Sequence, residues 1–167
     1  MNKQRTHEDS PTSDPNRSIV LLSDGVCSPA NLGGLFRLAD AFGVVEYVIG
    51  SGDLDMDSGR FRKTARNAYE QVPFTQTDDI CGIISALKKE HYRIVALEIT
   101  SQSTSLQHVE IPGSEPVGIV VGGERHGVSE GVLAMVDDTV HIDMFGINSS
   151  MNVVQATAIA LYEISKT

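Results

Sequence analysis

A chain of 167 residues with 41% hydrophobic and 21% charged residues has the size and composition of one globular domain. Its 13 lysines and arginines against 22 aspartates and glutamates give a formal net charge of −9, which argues against a generally basic nucleic-acid binder. Neither a membrane span, a signal peptide nor a cysteine-rich scaffold is indicated, since the apolar runs are short and the two cysteines are isolated. We expect a cytoplasmic protein with reduced thiols.

The apolar pattern along the chain alternates between strands and helices. Residues 1–17 are polar and lack periodicity, which is typical of a flexible tail. Beyond them, the pattern predicts strands over residues 18–23, 46–50, 71–75, 93–100, 116–122 and 139–145, and helices over residues 30–42, 59–69, 78–91, 128–136 and 150–166. We therefore expect one α/β domain over residues 18–167, with a mainly parallel sheet and helices on both faces.

Polar residues gather where such a fold binds ligands, beyond the carboxyl ends of the strands. The first group follows the first strand and contains Asn31, Gly33 and Arg37. Arg37 lies one helical turn after Gly33, so its side chain extends back over a residue without a Cβ, near a helix N-terminus that suits a phosphate. The alternative is that Asn31 only caps the helix and Arg37 is solvated.

The second group closes the strand over residues 116–122. Gly122 and Gly123 allow a close approach of the backbone to a cofactor, and Glu124 provides a carboxylate that binds a ligand or orients Arg37. The alternative is a plain strand-to-helix turn, with Ser129 capping the following helix.

The third group follows the strand over residues 139–145. Met144 ends that strand, and Ser150 and Asn152 stand at the start of a terminal helix rich in small apolar residues. A helix of that composition is buried or packs tightly against a partner, so these polar side chains are candidates for the mouth of a pocket. Ordinary helix capping is again the alternative.

The three segments, taken in this order, resemble the SpoU/TrmH family of SPOUT RNA methyltransferases. They read PANLGGLFRLADAFG, GIVVGGERHGVS and IDMFGINSSMNVVQATAIALYE, and the resemblance covers residues 18–163. It implies a C-terminal trefoil knot, S-adenosylmethionine as cofactor, a homodimer with the active site near the interface, and 2′-O-methylation of ribose in tRNA or rRNA. The chain resembles the minimal family members, which have no additional RNA-binding domain.

The resemblance also implies roles for individual residues. The implied catalytic and substrate-placing residues are Asn31, Arg37, Glu124, Ser150 and Asn152, and the implied cofactor-binding residues are Leu97, Glu98, Gly122, Gly123, Ile142, Met144, Ser150 and Met151. Two positions depart from the family pattern. Gly123 replaces a common Asn and is expected to loosen the turn at Glu124, whereas Asp143 replaces a common Pro and is expected to change the rigidity of the strand end.

Arginine at the position of Arg37 is often assigned as the general base, which is physically demanding. Deprotonating a guanidinium at neutral pH costs about 9 kcal/mol. We therefore expect Arg37 to remain charged, to bind a substrate phosphate and to stabilise the developing alkoxide, while the proton leaves to a phosphate oxygen or to water.

A basic cluster offers a surface for RNA in this acidic chain. It comprises Arg60, Arg62, Lys63 and Arg66, of which Arg62 and Arg66 are expected to share one helix face. A solvated face without a ligand is the alternative interpretation.

Three other functions were weighed against methyl transfer. A non-catalytic RNA-binding or scaffold protein of the same fold remains the main alternative. A dinucleotide-binding domain would need GxGxxG after the first strand, where this chain has DGVCSPANLGG. The five histidines show no metal-ligand spacing, so we expect no metal.

Overall fold

One parallel sheet forms the centre of the molecule. The computed structural model describes residues 15–51 and 54–166. The strands are β1 (Ile19–Asp24), β2 (Glu46–Gly50), β3 (Phe74–Thr77), β4 (Arg93–Leu97), β5 (Thr104–Ser105), β6 (Val117–Gly122) and β7 (Asp138–His141). Their spatial order is β3-β2-β1-β6-β4-β7-β5, and every ladder between them is parallel. The predicted α/β class with a mainly parallel sheet is confirmed.

Helices cover both faces of the sheet. They are α1 (Pro29–Ala41), α2 (Gly59–Ala65), α3 (Ala68–Gln71), α4 (Ile80–Lys89), α5 (Glu130–Leu133) and α6 (Val153–Ser165), with a short 3-10 helix at Leu106–His108. Alternate residues of β1 enter two separate cores, as the pleat of a strand requires. Ile19 and Leu21 pack with α1, α2 and α6, whereas Val20 and Leu22 pack with α4 and α5. The predicted two-sided arrangement is confirmed.

Several predicted elements have different limits in the structure. The helix predicted over residues 59–69 breaks at Arg66, whose backbone is left-handed at φ 52° and cannot continue an α-helix. The strand predicted over residues 71–75 begins later, because Ala68–Gln71 forms α3. The terminal helix begins at Val153, because the side chain of Asn152 caps it. The two-residue β5 is too short to produce a sequence pattern.

The folded region begins before Ser18, which corrects the predicted tail over residues 1–17. Only 3% of Arg17 is exposed. Its guanidinium donates to the carbonyl oxygens of Gly113 at 2.7 Å and Ile111 at 3.3 Å, and so fastens the chain before β1 to the segment before β6. Residues 1–14 lie outside the described residues. The trefoil knot implied by the family resemblance stays a prediction.

The sheet order places a switch point beside β1. From β1 the chain moves outward through β2 to β3 on one side, while β6, β4, β7 and β5 lie on the other side. Ligands of parallel α/β sheets bind outside the carboxyl ends of the strands at such a point. Just below this edge, buried Tyr47 donates a hydrogen bond to Ser23 at 3.0 Å, and burial raises the pKa of the Tyr47 phenol well above its usual range. This edge is where the candidate site is found.

Candidate active site

A cleft of about 380 Å³ lies beyond the carboxyl ends of β4, β6 and β7. That volume is within the range of small-molecule sites. All of the residues implied for the cofactor line it, namely Leu97, Glu98, Gly122, Gly123, Ile142, Met144, Ser150 and Met151. Glu124 and Asn152 line the same cleft, so most of the candidate catalytic group borders it as well.

A directed chain of hydrogen bonds joins the three sequence segments at the mouth of this cleft. The backbone N–H of Val154 donates to Oδ1 of Asn152 at 2.9 Å, which leaves the Asn152 amide nitrogen as the donor to Oδ1 of Asn31 at 3.0 Å. The Asn31 amide nitrogen then donates to Oε1 of Glu124. Since the first donor is a backbone N–H, the orientation of both amides follows. The series of hydrogen bonds therefore ends on the Glu124 carboxylate, which is a strong hydrogen-bond acceptor.

The two asparagines differ in their relation to the helices. Asn31 lies in the first turn of α1 but does not cap it, because its side chain is used by Glu124 and Asn152. Asn152 caps α6 and also takes part in the chain, so both interpretations of that residue hold. Ser129 is the N-cap residue of α5 by position, without a capping bond from its side chain.

Two carboxylates hold the turn that carries Glu124. The turn is closed by a bridge between Gly123 and Gly127. Oε2 of Glu98 accepts from the N–H of Val128 at 2.9 Å, and Oδ2 of Asp24 accepts from the N–H of Ser129 at 2.8 Å. Sequence reasoning missed Asp24 altogether and assigned Glu98 only through its backbone. The available signal was an acidic residue at the carboxyl end of each of two buried apolar runs.

The glycines of this turn permit a close approach of the protein's own backbone, and their expected role toward a cofactor stays a prediction. A Cβ on Gly122 would lie 2.1 Å from the carbonyl carbon of Gly127. A Cβ on Gly123 would lie 2.2 Å from the carbonyl oxygen of Gly25. The Asn common at position 123 in the family would therefore require the loop at Gly25 to move. Gly123 fits this loop, and the expected loosening of the turn is not supported.

A polar cluster ties the end of β7 to β5 at the rim of the cleft. The hydroxyl of Ser103 donates to the carbonyl of Thr100 at 2.9 Å, so His141 Nδ1 is the donor in its 2.9 Å contact with Ser103. The Asp143 carboxylate accepts from the Ser105 hydroxyl at 2.5 Å and lies 3.6 Å from His141 Nε2. The Asp143 side chain thus ties the loop after β7 to β5. At this position the family commonly has a proline, which stiffens the chain by restricting its backbone.

Arg37 is exposed on α1 and does not line the cleft. Within residues 15–51 and 54–166 its side chain makes no hydrogen bond or ion pair, and Glu124 is bound by Asn31 instead. Gly33 has a different role from the expected one. A Cβ there would lie 2.2 Å from Thr64 Oγ1 and 2.7 Å from the carbonyl oxygen of Phe61, so Gly33 permits the close packing of α1 against α2.

The residues of the basic cluster differ in whether their side chains are bound. Arg62 donates to Asp57 at 2.5 Å and to the carbonyl of Met56 at 3.1 Å. The side chains of Arg60, Lys63 and Arg66 are exposed and have no partner among the described residues. Because Arg66 lies past the end of α2 in a left-handed conformation, the expected helical pairing of Arg62 with Arg66 is wrong.

The described part of the chain offers no metal site and no membrane-spanning helix. It contains no group of three or more His, Cys, Asp or Glu residues placed to hold a metal ion. None of its helices combines the length and the apolar character needed to cross a membrane.

The fold and the cleft define an α/β protein with a cleft of small-molecule size at the carboxyl edge of a parallel sheet. Residues 18–162 match the SpoU rRNA Methylase family, and the chain belongs to that family. It is 31% identical over 145 residues to the 23S rRNA (guanosine(2553)-2′-O)-methyltransferase RlmP of Bacillus subtilis, covering 87% of this chain and 57% of that protein. It is 33% identical over 147 residues to the 23S rRNA (guanosine-2′-O-)-methyltransferase RlmB of Xanthomonas axonopodis pv. citri, covering 88% and 58%.

A solved structure shows the same architecture. The AdoMet-bound rRNA methyltransferase from Sinorhizobium meliloti superposes with a TM-score of 0.79 at 23% identity, covering 90% of this chain and 56% of that chain. At 23% identity, this similarity shows a shared fold. The chain spans little more than half the length of these three proteins.

Proposed function

We propose that the protein is an S-adenosylmethionine-dependent methyltransferase acting on a ribose 2′-hydroxyl of tRNA or rRNA in the cytoplasm. The observation that carries this proposal is the chain from Asn152 through Asn31 to Glu124, which brings three distant sequence segments together beside the cleft. Family membership supports the reaction class, and the names of the two relatives support the ribose 2′-oxygen as acceptor.

The cleft fits the proposed cofactor. Its walls combine apolar side chains such as Leu97, Ile142 and Met144 with the backbone of the turn at Gly122. A small-molecule site of this kind holds an apolar base by its walls and orients it with a few polar groups. When bound, S-adenosylmethionine supplies an electrophilic methyl group on a sulfonium.

The chain's own residues would then position the nucleophile. Asn31 holds one oxygen of Glu124 and leaves the second oxygen available to the ribose hydroxyl. Arg37 keeps its charge in this proposal, binds a substrate phosphate and stabilises the developing oxyanion, while the proton leaves to a phosphate oxygen or to water. Ser150 and Asn152 complete the rim of the pocket. Positioning of this kind contributes several kcal/mol to a rate.

The test is transfer of labelled methyl from S-adenosylmethionine to total RNA from a strain lacking the gene. We expect the wild-type protein to form a 2′-O-methylated nucleoside, identified by mass spectrometry. Asn31→Ala should form at least about 100-fold less, because Glu124 loses the donor that orients it. Cofactor binding with no transfer to any RNA would contradict the proposal. A protein that binds RNA but not the cofactor would favour a non-catalytic scaffold.

The basic cluster is proposed as an RNA-binding surface, with Arg60, Lys63 and Arg66 as its available charges. Double reversal, Lys63→Glu with Arg66→Glu, should weaken RNA binding at least about 10-fold and reduce its salt dependence. Cofactor affinity, measured by calorimetry, should not change. Lys89→Glu is the matched control, because Lys89 is exposed and α4 packs on the opposite face of the sheet from α2. Unchanged RNA affinity in the double variant would exclude this surface.

A homodimer is also proposed. The described chain leaves Phe145 and Ile147 fully exposed in the loop after β7, and Ile159 and Tyr162 are 42% and 59% exposed on one side of α6. Large apolar side chains exposed to this extent support a protein–protein contact on this part of the molecule. Phe145 and Ile147 lie in the chain between Met144 and Ser150, which line the cleft, and this supports a proposed interface near the active site.

A further inference from the structure

The tip of the turn that carries Glu124 holds two more polar residues, Arg125 and His126. Both are exposed, and neither side chain has a partner among residues 15–51 and 54–166. The turn itself is fixed at its base, since Gly127 N–H donates to the Gly123 carbonyl at 2.9 Å and Gly123 N–H donates to the Asp24 carbonyl at 2.8 Å. Arg125 is therefore a free cation on a rigid base, directly beside Glu124.

The charge of the cleft explains why a cation is needed there. Among the residues that the structure describes, its titratable lining residues are Glu98, Glu124 and His141, and no lysine or arginine lines it. The whole chain has a formal charge of −9. A phosphodiester that approaches Glu124 meets a carboxylate at the place where the ribose must be held. Repulsion of that kind is relieved by an arginine close to the carboxylate.

Arg37, which the proposed function assigns to a substrate phosphate, does not line the cleft, and several other cations of the described chain are already bound or distant. Arg17 is bound to carbonyls, and Lys88, Arg93 and Lys166 are paired with carboxylates. Lys89 ends α4, on the face of the sheet opposite to α1 and α6. Arg125 follows Glu124 directly, so their Cα atoms are about 3.8 Å apart, and a long arginine side chain at the tip of the turn can reach a phosphate that approaches the cleft.

We propose that Arg125 is a substrate-binding residue that contacts an RNA phosphate next to the methylated ribose. This rests on the proposed function and adds to it a role for Arg125, which lies in the family segment GIVVGGERHGVS but was given no role by the resemblance. The planar guanidinium binds a phosphate through two parallel N–H donors. It thereby offsets the charge of Glu124 and sets the register of the RNA over the cleft.

The experiment compares Arg125→Ala and Arg125→Lys with the wild-type enzyme, and Lys89→Ala serves as the exposed, unpaired control. Methyl transfer to unfractionated RNA from a strain lacking the gene is followed at several KCl concentrations. For Arg125→Ala we expect the KM for RNA to rise about 10-fold with kcat nearly unchanged, and the slope of log kcat/KM against log salt to fall by about 0.7 to 0.9. Arg125→Lys should restore the slope but only part of the affinity.

The controls separate this inference from the proposed function. Cofactor affinity should be unchanged in every variant, because Arg125 does not line the cleft. An Arg125→Ala enzyme with the wild-type KM and salt slope would overturn the inference while leaving the proposed function intact. A wild-type protein that methylates no RNA would overturn the proposed function, and the inference with it.

Discussion

Arg37→Ala is expected to lower kcat for methyl transfer about 10³-fold, because the variant lacks the charge that we propose stabilises the developing oxyanion. Cofactor affinity should stay within about twofold of the wild type, since Arg37 does not line the cleft and its side chain is unbonded within the described chain. Single-turnover rates at saturating RNA, together with calorimetric titration of the cofactor, measure the two effects separately.

Arg37→Lys is the matched variant. It keeps the charge but not the two parallel donors. We therefore expect its kcat to be about 10-fold below that of the wild type and well above that of Arg37→Ala. An Arg37→Ala enzyme with a normal rate would exclude a catalytic role. A rate that keeps rising to very high pH with unchanged RNA binding would instead favour Arg37 as the base.

The sequence predicted the elements well because each leaves a local pattern. β1 and β6 are unbroken apolar runs, and α1 has apolar residues at helical spacing. The order of the strands leaves no such pattern. β6 lies between β1 and β4 in the sheet and pairs with both. This placement depends on contacts between segments that are far apart in the chain. A parallel sheet was therefore predictable, and its order was not.

The same limit applies to the candidate site. The three segments were expected at one edge of the sheet, because parallel strands place their carboxyl ends together, and their meeting at the cleft agrees with that rule. The roles of Asp24 and Glu98 were missed because their partners are backbone N–H groups 105 and 30 residues away. Arg17 was assigned to a tail because burial of a guanidinium against carbonyls has no composition signature.

Gly122→Ala is expected to damage both stability and cofactor binding. The new methyl would lie 2.1 Å from the carbonyl carbon of Gly127 and 2.3 Å from the nitrogen of Val128, and neither is the end of a flexible side chain. Relief requires the turn that carries Glu124 to move away from β6. Overpacking of this kind costs about 3 kcal/mol of unfolding free energy, which lowers Tm by about 9 °C in a domain of this size.

The control for this prediction is Gly131→Ala in α5, where a Cβ would lie 4.0 Å from the Cys81 sulfur and would meet no closer atom of another element. Alanine in that helix should leave Tm unchanged or raise it slightly. For Gly122→Ala we also expect a loss of at least about 10-fold in cofactor affinity, measured below Tm, because the shifted turn forms one wall of the cleft. If Gly122→Ala kept the wild-type Tm and affinity, the turn would have to be free to move. In that case the bonds from Glu98 and Asp24 would not be what fixes Glu124 beside the cleft.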